Sequence, residues 1–242
     1  MLIPLAVVVS SSLSASEFLV FPPQGFSMRW YSEVIKSEAY ISAGWVSLKL
    51  ALITVAISLF IGTGAAIALT LFSFPGGQIL SAIFVSPLIL PSLIFAIGLL
   101  MFFSTYAGGP SFTGLVVGHV VITIPYVIRT VSASLADMDS NLDEASRMMG
   151  ARWWQRYFLV ILPQCKTGMA TGAFFVFNIS FDDAVVALFM RAPDIETLPM
   201  RIYSTLEFSP DPSVAAVSTI MIGITVMLIL IMNRLFGLSR II

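Results

Sequence analysis

The chain has 242 residues, 58% hydrophobic and only 10% charged, with a net charge of −1 and a mean hydropathy of +0.98. Soluble domains carry charge on about a quarter of their residues, and a water-exposed chain this apolar would display large hydrophobic patches. A bilayer is the solvent that suits it. The balanced charge excludes the basic surface that a phosphate backbone requires, and with it nucleic-acid binding.

Not one Asp, Glu, Lys or Arg occurs between Lys49 and Arg129. A charge at the bilayer centre costs about 3 kcal/mol, so this gap predicts two or three consecutive spans. At about 20 residues per span, the length allows roughly six helices in one all-α membrane bundle, residues 1–242, and leaves no room for a soluble catalytic domain. Cys165 is the only cysteine, so no intrachain disulfide forms.

In chain order, a first apolar run at 1–13 is short for a crossing and has no basic residue ahead of it, which argues against a secretory signal. It reads as a shortened first helix or as the product of a start codon set too far downstream. A polar stretch, 14–42, with Pro22-Pro23 and Gly25, predicts a solvent-exposed loop carrying a short helix. The second span is expected at 45–72, with Lys49 snorkelling to the interface. Pro75-Gly76-Gly77 marks a turn. The third span, 79–104, holds Pro87 and Pro91; each removes a backbone hydrogen bond, leaving a simple kink or the unwound part of a gate.

The fourth span, 112–135, contains His119, Pro125 and Arg129. A charged amphipathic stretch follows at 136–164. The fifth span is expected at 165–190, then a polar loop at 191–212, a sixth span at 213–236 and a tail, 237–242, with Arg240. With the N-terminus inside, basic residues divide seven inside to five outside, a mild preference. Gly114-x-x-x-Gly118 and Gly168-x-x-x-Gly172 have the spacing of close helix packing, although sixteen glycines produce such spacing by chance as well.

The stretch from Asp137 to Pro163 carries the most information. Ser140 followed by Asp143 resembles a capping box. Leu142, Ala145, Met148 and Met149 form one apolar face opposite Asp143 and Arg147, and Gly150 is a natural C-terminal stop. A second amphipathic helix at 152–162 would return the chain to the membrane, with Trp153, Trp154 and Tyr157 at the interface. On these residues alone, an interfacial hairpin joining two spans and a docking element that inserts into a partner's groove are both open.

Here the sequence resembles a known family. Glu144-Ala145, Gly150 six positions on, and Leu162-Pro163 are similar to the signature loop of binding-protein-dependent ABC importer permeases, with Ser146 and Val160 as its departures. Phe26 to Tyr31, Ser86-Pro87, Pro91, His119, Pro125-Tyr126, Arg129 and Ser180-Phe181-Asp182-Asp183 resemble the polyamine and opine branch. The resemblance implies a multi-pass permease of the bacterial inner membrane that carries a small cationic organic solute. It also implies a second permease, a paralogue, along with a cytoplasmic ATPase dimer and a periplasmic solute-binding protein. Glu144, Ala145, Gly150, Leu162 and Pro163 would dock the ATPase. The family's first helix is longer than the run at 1–13.

Asp182 and Asp183 are the only acids within the expected spans, in the outer half of the fifth. They cap that helix or pair with Arg191, or one of them lines the solute path. His119 is a packing residue or a proton relay. Arg129 sits at the inner interface or pairs with an acid of the docking segment. Neither a metal-ligand spacing nor any cofactor motif is present. No Gly-x-x-x-x-Gly-Lys-Ser/Thr occurs, so nucleotide would be hydrolysed by another chain. A secondary transporter lacks convincing repeats or coupling-ion residues, and an intramembrane enzyme lacks a nucleophile–base or metal constellation.

Overall fold

A computed structural model describes residues 2–193 and 195–236. Met1, the tail 237–242 and its Arg240 lie outside the described residues. The elements in order are α1 (Leu2–Ser11), α2 (Arg29–Lys36), α3 (Glu38–Leu71), α4 (Gly77–Val85), a 3₁₀ turn (Ser86–Leu88), α5 (Ser92–Tyr106), α6 (Phe112–Ala136) and α7 (Ser140–Met148). Then come α8 (Trp153–Gln155), a π-helical turn (Arg156–Ile161), α9 (Leu162–Gln164), α10 (Lys166–Asp182), α11 (Val185–Phe189), α12 (Leu198–Phe208) and α13 (Ser213–Phe236).

Among the described residues three helices are long and apolar enough to cross a bilayer: Glu38–Leu71, Phe112–Ala136 and Ser213–Arg234. Two further pairs qualify as broken spans, bent by 102° between α4 and α5 and by 66° between the α8–α9 segment and α10. Many large side chains on α4, α5 and α13, among them Ile83, Ile94, Met101 and Leu230, face outward uncovered, as a lipid solvent requires. The chain is a helical membrane protein. Of the six spans expected, the first is α1, ten residues long, packed beside α13.

The third span is the broken one. After Val85 the chain tightens into the 3₁₀ turn that holds Pro87, and Pro91 stands immediately before α5 with extended ψ, because its ring fixes φ and it cannot donate to the preceding turn. The fifth span also departs from expectation. It does not run unbroken to Met190 but ends at Asp182, and Asp183 is extended, with ψ 118°. The Asp183 carboxylate accepts from the Val186 and Ala187 N–H groups at 2.8 and 3.2 Å, so it starts α11 as an N-cap would. The loop expected at 191–212 holds the helix α12, with Pro199 in its first turn, where a missing N–H costs nothing. The stretch 14–42 is not wholly solvated either: Trp30 is buried and donates to the Ser14 carbonyl at 3.0 Å.

The centre of the molecule is the packing of α3, α6 and α10. Both glycine pairs are places where backbones or large side chains come close. A Cβ at Gly168 would strike the Thr130 carbonyl and Ser134 Oγ, and one at Gly172 would lie 2.8 Å from Thr130 Oγ1. Gly114 abuts Phe103 and Met190, and Gly118 abuts Leu99 and Val186. A Ser58–Thr123 hydrogen bond of 2.9 Å ties α3 to α6. Since α6 runs into α7 and α10 leaves from α9, the α7–α9 loop and the α12 segment lie at opposite ends of the bundle.

Candidate functional site

At one end of the bundle stands α7. Its C-terminus closes in a Schellman arrangement: Ala151 N–H donates to the Ser146 carbonyl at 3.1 Å and Gly150 N–H to Arg147 at 2.9 Å. This places Gly150 at φ +78°, a left-handed conformation that any residue with a Cβ resists. Ser140's side chain, and with it the expected capping box, lies outside the described residues. The stripe read from the sequence is on the outside. Met148 and Met149 are each 89% exposed, and Leu142, Glu144 and Ala145 are exposed with them.

The opposite face of α7 turns inward, and there Asp143 does what its spacing did not reveal. Its carboxylate takes two bonds from Arg156, at 2.8 and 2.7 Å, and one from Arg147 at 2.9 Å. Arg156 opens the π turn. Beyond it, Ile161 is buried in the core and Leu162 and Pro163 are half-buried at α9. Pro163 has no N–H to return to the carbonyl four residues back, and the helix ahead of it is in the wider π register. The expected docking residues therefore separate: Glu144, Ala145 and Gly150 are exposed, whereas Leu162 and Pro163 belong to the joint between loop and bundle. Arg129 is exposed, and among the described residues no ion pair of its own with Asp143 or Glu144 is formed.

At the other end, the two aspartates diverge. Asp182 is exposed and lines a cavity of about 580 Å³ together with Asn178, Phe181, Tyr203, Met221 and Thr225; Asn178 and Thr225 are hydrogen-bonded at 3.0 Å. Asp183 is 13% exposed and stands 3.7 Å from His119 Nε2. His119, fully buried, makes a 2.9 Å bond from Nδ1 to Ser180 Oγ. Neither aspartate pairs with Arg191, which is exposed. His119 thus has the hydrogen bond of a packing residue and also faces the acid that starts α11. The sequence spacing of His119 and Asp183 carried no sign of that meeting.

Residues 58–239 match the family described as the binding-protein-dependent transport system inner membrane component. The spermidine/putrescine transport system permease protein PotC of Escherichia coli K12 is 29% identical over 94% of this chain and 86% of its own. The putrescine transport system permease protein PotI of the same strain is 30% identical over 91% and 80%. Among solved structures, a bacterial ABC transporter involved in import of the polysaccharide alginate superposes with a TM-score of 0.71 at 12% identity, covering 96% of this chain and 89% of that one. The MetNI methionine ABC transporter, inward-facing, gives 0.68 at 20% identity over 82% and 96%. These two likenesses establish the fold.

Proposed function

The chain belongs to the family of binding-protein-dependent transport system inner membrane components, and from that premise we propose that it forms half of the solute path of an ATP-driven importer for a small cationic organic solute of the polyamine kind. A periplasmic binding protein delivers the solute, a paralogous permease supplies the other half of the path, and a cytoplasmic ATPase dimer hydrolyses the nucleotide. The membrane is the bacterial inner membrane.

The observation that carries this reading is α7. A nine-residue helix with its apolar stripe and Glu144 exposed is a shape made for a groove on another protein. Glu144, Ala145 and Gly150 are its contact surface, and Leu162-Pro163 anchor it to the bundle. ATP-driven closure of the ATPases moves α7 and, through it, the attached spans. The solute class is supported by Asp182, an acid in a largely apolar cavity, where a cation gains most from a carboxylate, and by the names of the relatives.

The test is co-purification of the tagged permease with its ATPase from membranes of the native host. Wild type is expected to retain the ATPase, and Glu144→Arg and Gly150→Val to lose it while still inserting in the membrane. Unchanged recovery in both variants removes the docking role.

A further inference from the structure

We propose that Asp143 is a positioning residue that splints the docking helix to the π-helical turn, so that displacement of α7 is delivered to the head of α10. The inference rests on the reading of α7 as the ATPase-docking element.

Among the described residues the outward face of α7 is exposed, and the helix packs chiefly on the π turn. An apolar contact would hold it there without fixing its direction, because dispersion is non-directional. The Asp143–Arg156 pair does fix direction: two parallel N–H···O bonds from one planar fork set orientation as well as distance. Both side chains are largely covered, 16% and 17% exposed, between Leu71, Phe72, Met138 and Ile161, with Glu144 and Arg147 as the other charged groups facing the pair. Arg147 binds the same carboxylate but is 57% exposed and lies on α7 itself, so its bond holds nothing across the joint.

From Arg156 the chain continues without a gap into the core. Tyr157 packs against the core cluster, Ile161 and Cys165 are buried in it, the same cluster that holds Val131 and Leu135 of α6, and Cys165 immediately precedes α10. A π turn inside a helix marks a site where register has been altered, and such turns concentrate at functional places. A pull on α7 enters this turn at its first residue and passes through α9 to Cys165 at the head of α10.

The experiment uses the whole transporter, with its ATPase and partner permease, in nanodiscs. Two quantities are read: recovery of the ATPase, and the rate at which N-ethylmaleimide alkylates Cys165 with and without a non-hydrolysable ATP analogue, followed by mass spectrometry. In wild type the nucleotide changes that rate. Arg156→Gln is expected to keep the ATPase and to shrink the nucleotide-dependent change by about tenfold, the scale of a coupling residue that touches no ligand. Asp143→Asn should follow it, Arg156→Lys should fall between, and Arg147→Gln should behave as wild type.

The proposal is overturned by a full nucleotide response in Arg156→Gln and Asp143→Asn, by an equal loss in Arg147→Gln, or by a wild type whose Cys165 ignores nucleotide. Loss of the ATPase from Arg156→Gln and Asp143→Asn overturns it too, since the pair would then shape docking instead of transmission. Failure of wild type to hold an ATPase strikes at the docking reading itself, and is seen in the first measurement.

Discussion

Successive residues on a helix point about 100° apart, and at the end of α10 that angle sends the Asp182 carboxylate into the outer cavity and leaves Asp183 inward, against His119. Asp183 is occupied: two backbone N–H groups of α11 donate to it, and the His119 ring stands 3.7 Å away, beyond hydrogen-bond distance. Among the described residues the Asp182 carboxylate has no hydrogen-bond partner, and it is exposed, so of the two it is the acid a cation can reach. Asp182→Asn is accordingly expected to lower putrescine uptake by about tenfold to a hundredfold, the worth of one hydrogen bond to a charged group, with no change in melting temperature. Asp183→Ala should instead destabilise the protein by about 1 kcal/mol through the lost cap, read as a lower melting temperature in detergent. Normal uptake by Asp182→Asn would remove this residue from the solute path.

The contact of α6 with α10 depends on what glycine omits. At Gly168 a methyl would collide with the Thr130 carbonyl, and backbone cannot swing aside as a side chain can. Gly223, on α13, has open space around its absent Cβ. Gly168→Ala is expected to cost about 1–3 kcal/mol by overpacking, whereas Gly223→Ala should be neutral or slightly stabilising through helix propensity; equal melting of the two variants would refute the close approach. This spacing was visible in the sequence, as were the break at Pro87–Pro91 and the glycine stop at 150, because each is set by a residue's own backbone chemistry. The features that escaped reading depend on neighbours distant in sequence. Asp143 and Arg156 meet only because the Gly150 turn folds one helix back toward the next, and His119 and Asp183 meet because α6 and α10 pack antiparallel. Residues 191–212 looked like a polar loop because charges and prolines suggested water, yet Pro199 falls in the first turn of a helix, where proline is tolerated, and α12 forms. The fifth span looked continuous because Asp183, read as an acid inside a helix, is in fact the residue that ends one helix and begins another.

Across the whole molecule, charge marks the two ends of the bundle. Eight of the charged residues fall between Asp137 and Lys166, around the exposed face of α7, while Arg191, Glu196, Arg201, Glu207 and Asp211 cluster around α12 at the far end. If α7 meets a cytoplasmic ATPase, then the α12 end faces the periplasm, and the cavity beside Asp182 opens on the side from which a solute arrives. That sidedness can be measured without knowing the solute. Cys165, the one native cysteine, is first replaced by Ala, and single cysteines are then introduced at Met148 on α7 and Phe208 on α12, which are 89% and 75% exposed. The permease is expressed without its ATPase, leaving α7 uncovered. A membrane-impermeant maleimide is expected to label Phe208→Cys but not Met148→Cys in intact spheroplasts, and the reverse in inside-out vesicles. Labelling of Met148→Cys from outside would place α7 in the periplasm, where no ATP is hydrolysed, and the docking role of Glu144, Ala145 and Gly150 would fall with it.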